Sequence, residues 1–262
     1  MDNRPIGVLD SGLGGLTVLK KVIAKLPGES TVFIGDQANM PYGDRSKEEI
    51  IELTRSSVKF LLSKNVKTII FGCNTATAAA MPTIQNEVDL QIIGVIQSGA
   101  LDAAKKTKTK KVAVIGTTAT TLSHAYRDEI HSRDSDIQVQ EFAQPALAPL
   151  AEEDPDEDTK LKIVSQSLRP LKNGDFDTLV LGCTHYPLLL NEIQACISPD
   201  KCILDPADQV AQYTYNVLKR DNMLAEGPAK HEYYTTGNAR KFTEIARQWM
   251  NDPELIAKHV QD

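Results

Sequence analysis

The feature that most restricts how this chain can fold is a repeat. Ile69-Ile70-Phe71-Gly72-Cys73-Asn74-Thr75 returns 110 residues later as Leu179-Val180-Leu181-Gly182-Cys183-Thr184-His185. Gly7-Val8-Leu9-Asp10-Ser11 is echoed at an offset of 106 by Ala113-Val114-Ile115-Gly116-Thr117. Each copy reads as an apolar strand entering a small polar turn, and strands this apolar are covered on both faces, as in parallel sheets. The spacing predicts strands at Ile6–Leu9, Thr31–Gly35, Thr68–Phe71 and Gln91–Val95, and again at Lys111–Ile115, Gln138–Phe142, Thr178–Leu181 and Cys202–Leu204. Helical periods fall between them, including Leu16–Lys25 and Ser46–Ser63, the latter opened by Ser46 with Glu49 three residues on. The fold class is therefore α/β, with two similar lobes, each a mostly parallel sheet flanked by helices.

The lysine- and threonine-rich stretch Ser98–Lys111 reads as an exposed connection between the halves, and acidic Glu152–Asp158 as a solvated loop. Pro82, within the helical segment Ala76–Val88, predicts a kink or restart there. Beyond Ala207 lie a helix, a strand at Glu232–Thr236 and a helix at Asn238–Met250, and pattern alone leaves open which lobe they join.

Composition narrows the function. Twenty-nine Lys and Arg against 35 Asp and Glu leave a net charge of −6, which repels phosphate backbones, so nucleic acid is not an expected partner. No apolar run approaches the ~18 residues that would span a bilayer, and the N-terminus lacks a signal-peptide core, so a cytoplasmic protein without membrane partners is expected. Four cysteines, Cys73, Cys183, Cys196 and Cys202, form no C-x-x-C pair and have no metal-ligand histidine spacing beside them. Neither a disulfide framework nor a metal site is expected.

Cys196 and Cys202 read as packing residues, because free cysteine behaves as a small buried hydrophobe. Cys73 and Cys183 stand apart: each ends a strand at the same point of the repeated unit, where α/β ligands bind, and each precedes a helix start. A helix N-terminus lowers a thiol's pKa and offers N–H groups to a carboxylate. Two opposed thiols suit inversion at carbon, in which one group removes a proton and another returns one to the opposite face. Each thiol needs a neighbour, and Asp10 and His185 are the candidates.

In order and spacing, Asp10-Ser11-Gly12-Leu13-Gly14-Gly15, Pro41-Tyr42-Gly43, Gly72-Cys73-Asn74-Thr75-Ala76 and Leu181-Gly182-Cys183-Thr184-His185-Tyr186-Pro187 resemble the motifs of the bacterial glutamate racemases. The resemblance runs from Ile6 to about Asp208. It implies pseudo-twofold lobes, residues 1–97 with 208–262 and residues 98–207, with the active site between them. It further implies interconversion of L- and D-glutamate without a cofactor, supplying D-glutamate for peptidoglycan, and a homodimer. Cys73 would act on the D-isomer, assisted by Asp10, and Cys183 on the L-isomer, assisted by His185. Substrate contacts would fall to Asp10, Ser11, Tyr42, Gly43, Asn74, Thr75, Thr184 and His185.

One stretch departs from the family pattern. Where many members carry F-A-C-P-x-F-V-P-L-V-E, this chain reads Phe142-Ala143-Gln144-Pro145-Ala146-Leu147-Ala148-Pro149-Leu150-Ala151-Glu152, so Glu152 is a possible support for the histidine among altered neighbours.

Other readings stay open. Aspartate or another amino acid could be the substrate. Gly12-Leu13-Gly14-Gly15-Leu16-Thr17, with Asp36 after the next strand, loosely resembles the dinucleotide fingerprint of an oxidoreductase, although Thr17 stands where a glycine or alanine is needed. A two-lobed binding module would leave the thiols merely lining a cleft. A Cys183–His185 hydrolase is disfavoured, because residues two apart on an extended chain point apart unless the turn is sharp.

Overall fold

The computed structural model describes residues 1–260, and the chain divides into two compact units, Met1–Val95 with Ala207 onward, and Ile96–Pro206. The first unit opens with β1 (Ile6–Asp10), α1 (Gly15–Lys25), β2 (Thr31–Gly35), α2 (Lys47–Ser63), β3 (Thr68–Phe71), α3 (Asn74–Ile84) and β4 (Ile92–Gly94). The helix α4 (Val95–Lys106) leads into the second unit, which continues with β5 (Lys111–Gly116), α5 (Thr118–Leu122), α6 (Ala125–His131), β6 (Gln138–Ala143), α7 (Leu147–Glu153), α8 (Glu157–Ser167), β7 (Thr178–Gly182), α9 (Leu190–Cys196) and β8 (Cys202–Leu204). The tail supplies α10 (Pro206–Arg220), β9 (His231–Thr235), α11 (Ala239–Met250) and β10 (Ala257–His259).

Both sheets are parallel throughout. The six-stranded sheet runs β10-β9-β2-β1-β3-β4 and the four-stranded sheet β6-β5-β7-β8. The repeat is thus a repeat of topology: in each unit the first strand lies between the second and the third. That order places the turn after the first strand beside the turn after the third, because β1 pairs with β3 through Leu9 and Phe71, and β5 with β7 through Gly116 and Gly182. The tail strands extend the first sheet along β2, with Gly35 opposite Thr235.

Side-chain alternation explains the layering. On one face of the first sheet Leu9, Ile34 and Phe71 pack with Val58 and Leu61 of α2 and Ala76, Ala80 and Ile84 of α3. On the other, Phe33 meets Phe242 of α11 at a ring separation of 6.0 Å. In the second unit Ile115 and Leu181 pack with Leu147 and Leu150 of α7, Val164 of α8 and Ile193 of α9. Each such fully buried aliphatic side chain contributes roughly 1.5–3 kcal/mol. The predicted capping box of α2 is present, Ser46 Oγ accepting from Glu49 N at 3.2 Å and Glu49 Oε2 accepting from Ser46 N at 2.9 Å.

Two local expectations are overturned. Most of Ser98–Lys111 is helix α4, with Ser98 buried, and only residues 107–110 form a connection. Apolar Ile96, Ala100 and Ala103 supply its buried side, while Lys105 and Lys106 occupy its last turn, where the dipole favours cations. The solvated-loop reading of Glu152–Asp158 fails at both ends: Glu152 and Glu153 finish α7, whose Leu147, Leu150 and Ala151 are buried, and Asp156 caps α8 by accepting from Thr159 N at 2.9 Å. At Pro82, where a kink or restart is expected, α3 does not restart: it runs through the proline and stops two residues later at Ile84. The short strand β10 carries no period long enough to read from sequence.

A buried ion pair fastens the tail to the N-terminal ends of the first sheet. Lys67 Nζ lies 2.5 Å from Glu29 Oε2, both side chains almost wholly buried, and donates to the carbonyls of Asp2 at 2.6 Å and Met223 at 2.7 Å. Glu29 Oε1 accepts from Ala225 N at 2.8 Å. Removing one member leaves a buried charge without its counterion, so Lys67→Met should lower the unfolding free energy by ~3–5 kcal/mol, read from urea denaturation. A loss below ~1 kcal/mol would show that water reaches the pair.

Candidate active site

Each cysteine of the repeated unit sits at the carboxyl end of the third strand of its sheet. In the first unit, Cys73 follows β3, is 6% exposed, and serves as the N-cap of α3, its Sγ accepting from Ala76 N at 3.4 Å. Ser11 Oγ lies 3.4 Å from the same sulfur. Asp10, at the buried end of the adjacent β1, accepts from Gly12 N at 2.8 Å through Oδ1. Glycine at position 15 makes room for that carboxylate, since a Cβ there would stand 2.6 Å from Asp10 Cβ.

Burial, and then the charge of Asp10, push the Cys73 thiol up to about 12, while the bonds from Ser11 and Ala76 act in the opposite direction. The expected lowering by the helix N-terminus is present at Cys73, through the Ala76 amide, but it is outweighed. Desolvation of an anion outweighs two amides, those of Ala76 and Ser11, and one hydroxyl, and a neighbouring carboxylate adds to the cost. Cys73 rests as a neutral thiol beside a carboxylate.

The other first-unit residues gather around it. Asn74 and Thr75, both buried, form the first turn of α3. Tyr42 and Gly43 lie in a single 3₁₀ turn, and the buried Tyr42 hydroxyl donates to Asp36 Oδ2 at 2.6 Å. Burial and the Asp36 charge hold the Tyr42 phenol far above its ordinary range, so it stays a donor committed to Asp36.

In the second unit, Cys183 follows β7 and is also 6% exposed. Its Sγ lies 3.8 Å from His185 Nδ1, and His185 Nε2 lies 2.8 Å from Glu152 Oε1. Burial pushes the imidazole down, but bonds and charge from Cys183 and Glu152 outweigh it and raise His185 to about 10. As an imidazolium it donates from both ring nitrogens, one toward sulfur and one toward carboxylate. The geometric objection to a Cys183–His185 contact fails, because the chain turns sharply there, with Tyr186 N donating to Cys183 O at 3.1 Å. Glu152 reaches the histidine despite its altered neighbours, because α7 carries it there. Thr184, 8% exposed, lies between the two. Tyr186 is fully buried and donates to the Gln144 carbonyl at 2.8 Å, bracing this turn against the end of β6.

Cys196 and Cys202 are half-buried and free. Cys196 ends α9 and lines a groove with Leu161, Arg169 and Lys172. Among the described residues, no three His, Cys, Asp or Glu side chains gather as a metal set, and no helix is long and apolar enough to cross a membrane. The glycine loop before α1 is a poor dinucleotide cradle: the buried Asp10 carboxylate already accepts one of its amides and would oppose a pyrophosphate.

In the sequence, Asp36 stands out only through that loose fingerprint. The structure makes it the anchor of the Tyr42 turn. An acid directly after the strand next to β1 was the signal that could have placed it.

A family model described as Asp/Glu/Hydantoin racemase matches residues 6–214. The chain belongs to the Asp/Glu/hydantoin racemase family. Within that family it is similar to the glutamate racemase of Lactobacillus johnsonii, with 74% identity over 262 residues, covering 99% of this chain and 98% of the relative. Among solved structures, a glutamate racemase isoform from Bacillus anthracis superposes at a TM-score of 0.96 with 39% identity, covering 100% of this chain and 98% of that one. The glutamate racemase of Francisella tularensis in complex with D-glutamate matches at a TM-score of 0.89 and 30% identity, over 100% of this chain and 97% of that one. These matches span both units, so the racemase family's two-sheet α/β architecture holds for the entire chain.

Proposed function

We propose that this racemase-family chain interconverts L- and D-glutamate by moving the α-proton between two cysteines, without a cofactor. The observation that carries the reading is the repeated placement of a buried cysteine, each time with its own acid–base partner: Cys73 with Asp10, and Cys183 with His185 and Glu152. Inversion at carbon needs two such groups, one to take the proton and one to deliver a proton to the opposite face. In this assignment Cys73 is the base toward the D-isomer, passing its proton toward Asp10. Cys183 is the base toward the L-isomer, its sulfur held by the His185 Nδ1–H. Ser11, Tyr42, Gly43, Asn74, Thr75 and Thr184 supply hydroxyl, amide and main-chain donors suited to two carboxylates. Glutamate as substrate is supported by the names of the relatives, one of them 74% identical and another solved with D-glutamate. Provision of D-glutamate for peptidoglycan, a cytoplasmic site of action and a homodimer complete the reading.

The test is incubation of protein freed of metals and cofactors with L-glutamate in D2O. Loss of optical rotation with deuterium appearing at the α-carbon is the expected result. Binding of glutamate without α-hydrogen exchange would replace the enzyme with a binding module, and turnover of aspartate in preference to glutamate would reassign the substrate.

A further inference from the structure

We propose that Thr236, in the tail beyond the stretch matched by the family model, is a positioning residue for the Tyr42–Gly43 turn and acts on it through Asp36. The proposal rests on the reading above, in which that turn contacts glutamate. Asp36 is 3% exposed and follows β2, its main-chain N–H donating to the Asp10 carbonyl at 3.0 Å. Its carboxylate collects donors from three places. Thr236 Oγ1 donates to Oδ1 at 2.7 Å, Asn39 Nδ2 to Oδ1 at 2.9 Å and Oδ2 at 3.2 Å, and Tyr42 Oη to Oδ2 at 2.6 Å. A carboxylate accepts about four such bonds, so Asp36 is saturated and suited to holding rather than to proton transfer.

Thr236 does two things at once. While its hydroxyl donates to Asp36, the same oxygen accepts from Ala38 N at 3.1 Å. Its backbone is fixed independently, Thr236 N donating to Gly35 O at 3.2 Å as the sheet ends. A hydroxyl on the rigid edge of the tail strand thereby grips both ends of the 36–42 loop, through Ala38 directly and through Asp36 to Tyr42. The loop itself is two short 3₁₀ turns tied together internally, Asn39 N donating to the Asp36 carbonyl at 3.1 Å, Arg45 N to the Tyr42 carbonyl at 3.1 Å and Arg45 Nε to the Asn39 carbonyl at 2.8 Å, and the Thr236 hydroxyl ties this unit to the end of the sheet. A group holding substrate donors in register acts on binding more than on the proton-transfer step.

The experiment compares Thr236→Val, which keeps the branched shape and loses the hydroxyl, with Thr236→Ser, which keeps the hydroxyl. Two readouts are taken: amide hydrogen exchange of residues 37–45, and steady-state kinetics with D- and L-glutamate. Thr236→Val should speed exchange in that loop and raise KM about tenfold in both directions, with kcat within about twofold, the scale of one charge-assisted bond partly replaced by water. Thr236→Ser should restore both. Loop exchange in Thr236→Val equal to wild type would overturn the grip, whatever the enzyme's activity. Faster exchange with an unchanged KM would overturn the positioning role. A wild-type protein inactive on glutamate would instead remove the substrate reading, and the exchange result would still decide whether Thr236 holds the loop.

Discussion

Replacing Cys73 or Cys183 by alanine should lower the rate of glutamate racemisation by at least ~10³-fold while leaving the fold intact. General acid–base groups contribute ~10²–10⁴-fold, and no other described thiol lies at the end of a third strand to take over. Removing one buried sulfur costs ~1 kcal/mol of stability, so unfolding should remain cooperative, with a midpoint a few degrees lower at most. The two variants should differ in one respect. A single remaining base can remove a proton and return a deuteron only to the same face. Residual α-hydrogen exchange in D2O should therefore be confined to L-glutamate in Cys73→Ala and to D-glutamate in Cys183→Ala, read by proton NMR. Near-normal racemisation by either variant would remove that cysteine from the mechanism, and exchange of the opposite isomer would reverse the assignment of faces.

His185→Gln should slow turnover by about 10²-fold and also change how stability depends on pH. The imidazole is raised from 6.5 to about 10 in the folded chain. A group whose folded value is raised stabilises the native state fully below its unfolded value, and that contribution is lost as pH rises through the folded value. Wild-type stability should therefore decline between pH 6.5 and about 10, and His185→Gln should lack this part of the decline. Glu152→Gln removes one of the imidazolium's two partners and lowers its folded value, so the decline should be smaller and end at lower pH. In the same variant the alkaline limb of a bell-shaped kcat/KM profile should move down with it. Urea titrations at the two ends of the window, together with the kinetic profiles, test both. If the pH profiles of Glu152→Gln and wild type coincide, the His185–Glu152 contact has no part in proton handling.

These expectations mix what was legible in the chain with what was not. The repeat at Cys73 and Cys183 announced two parallel α/β units, because a strand buried on both faces writes a nearly unbroken apolar run and the turn at its carboxyl end writes small polar residues. Helices with an amphipathic run were legible too, down to the Ser46 capping box. Segments whose polar surface is conspicuous were misread: the Lys-rich end of α4 and the acidic end of α7 concealed apolar sides that are legible only once the sheet beneath them is known.

The sequence by itself determined which residues stand at the ends of strands, since that follows from local period and turn chemistry. Only the tertiary structure decided what those residues meet there. Glu152 reaches His185 from 33 positions away, and Thr236 reaches Asp36 from 200. Burial likewise decided that Cys73 rests protonated although it caps a helix. The physical reason is common to all three: hydrogen-bond geometry and the loss of water around a charge depend on neighbours brought together in space, and no local pattern of residues records them.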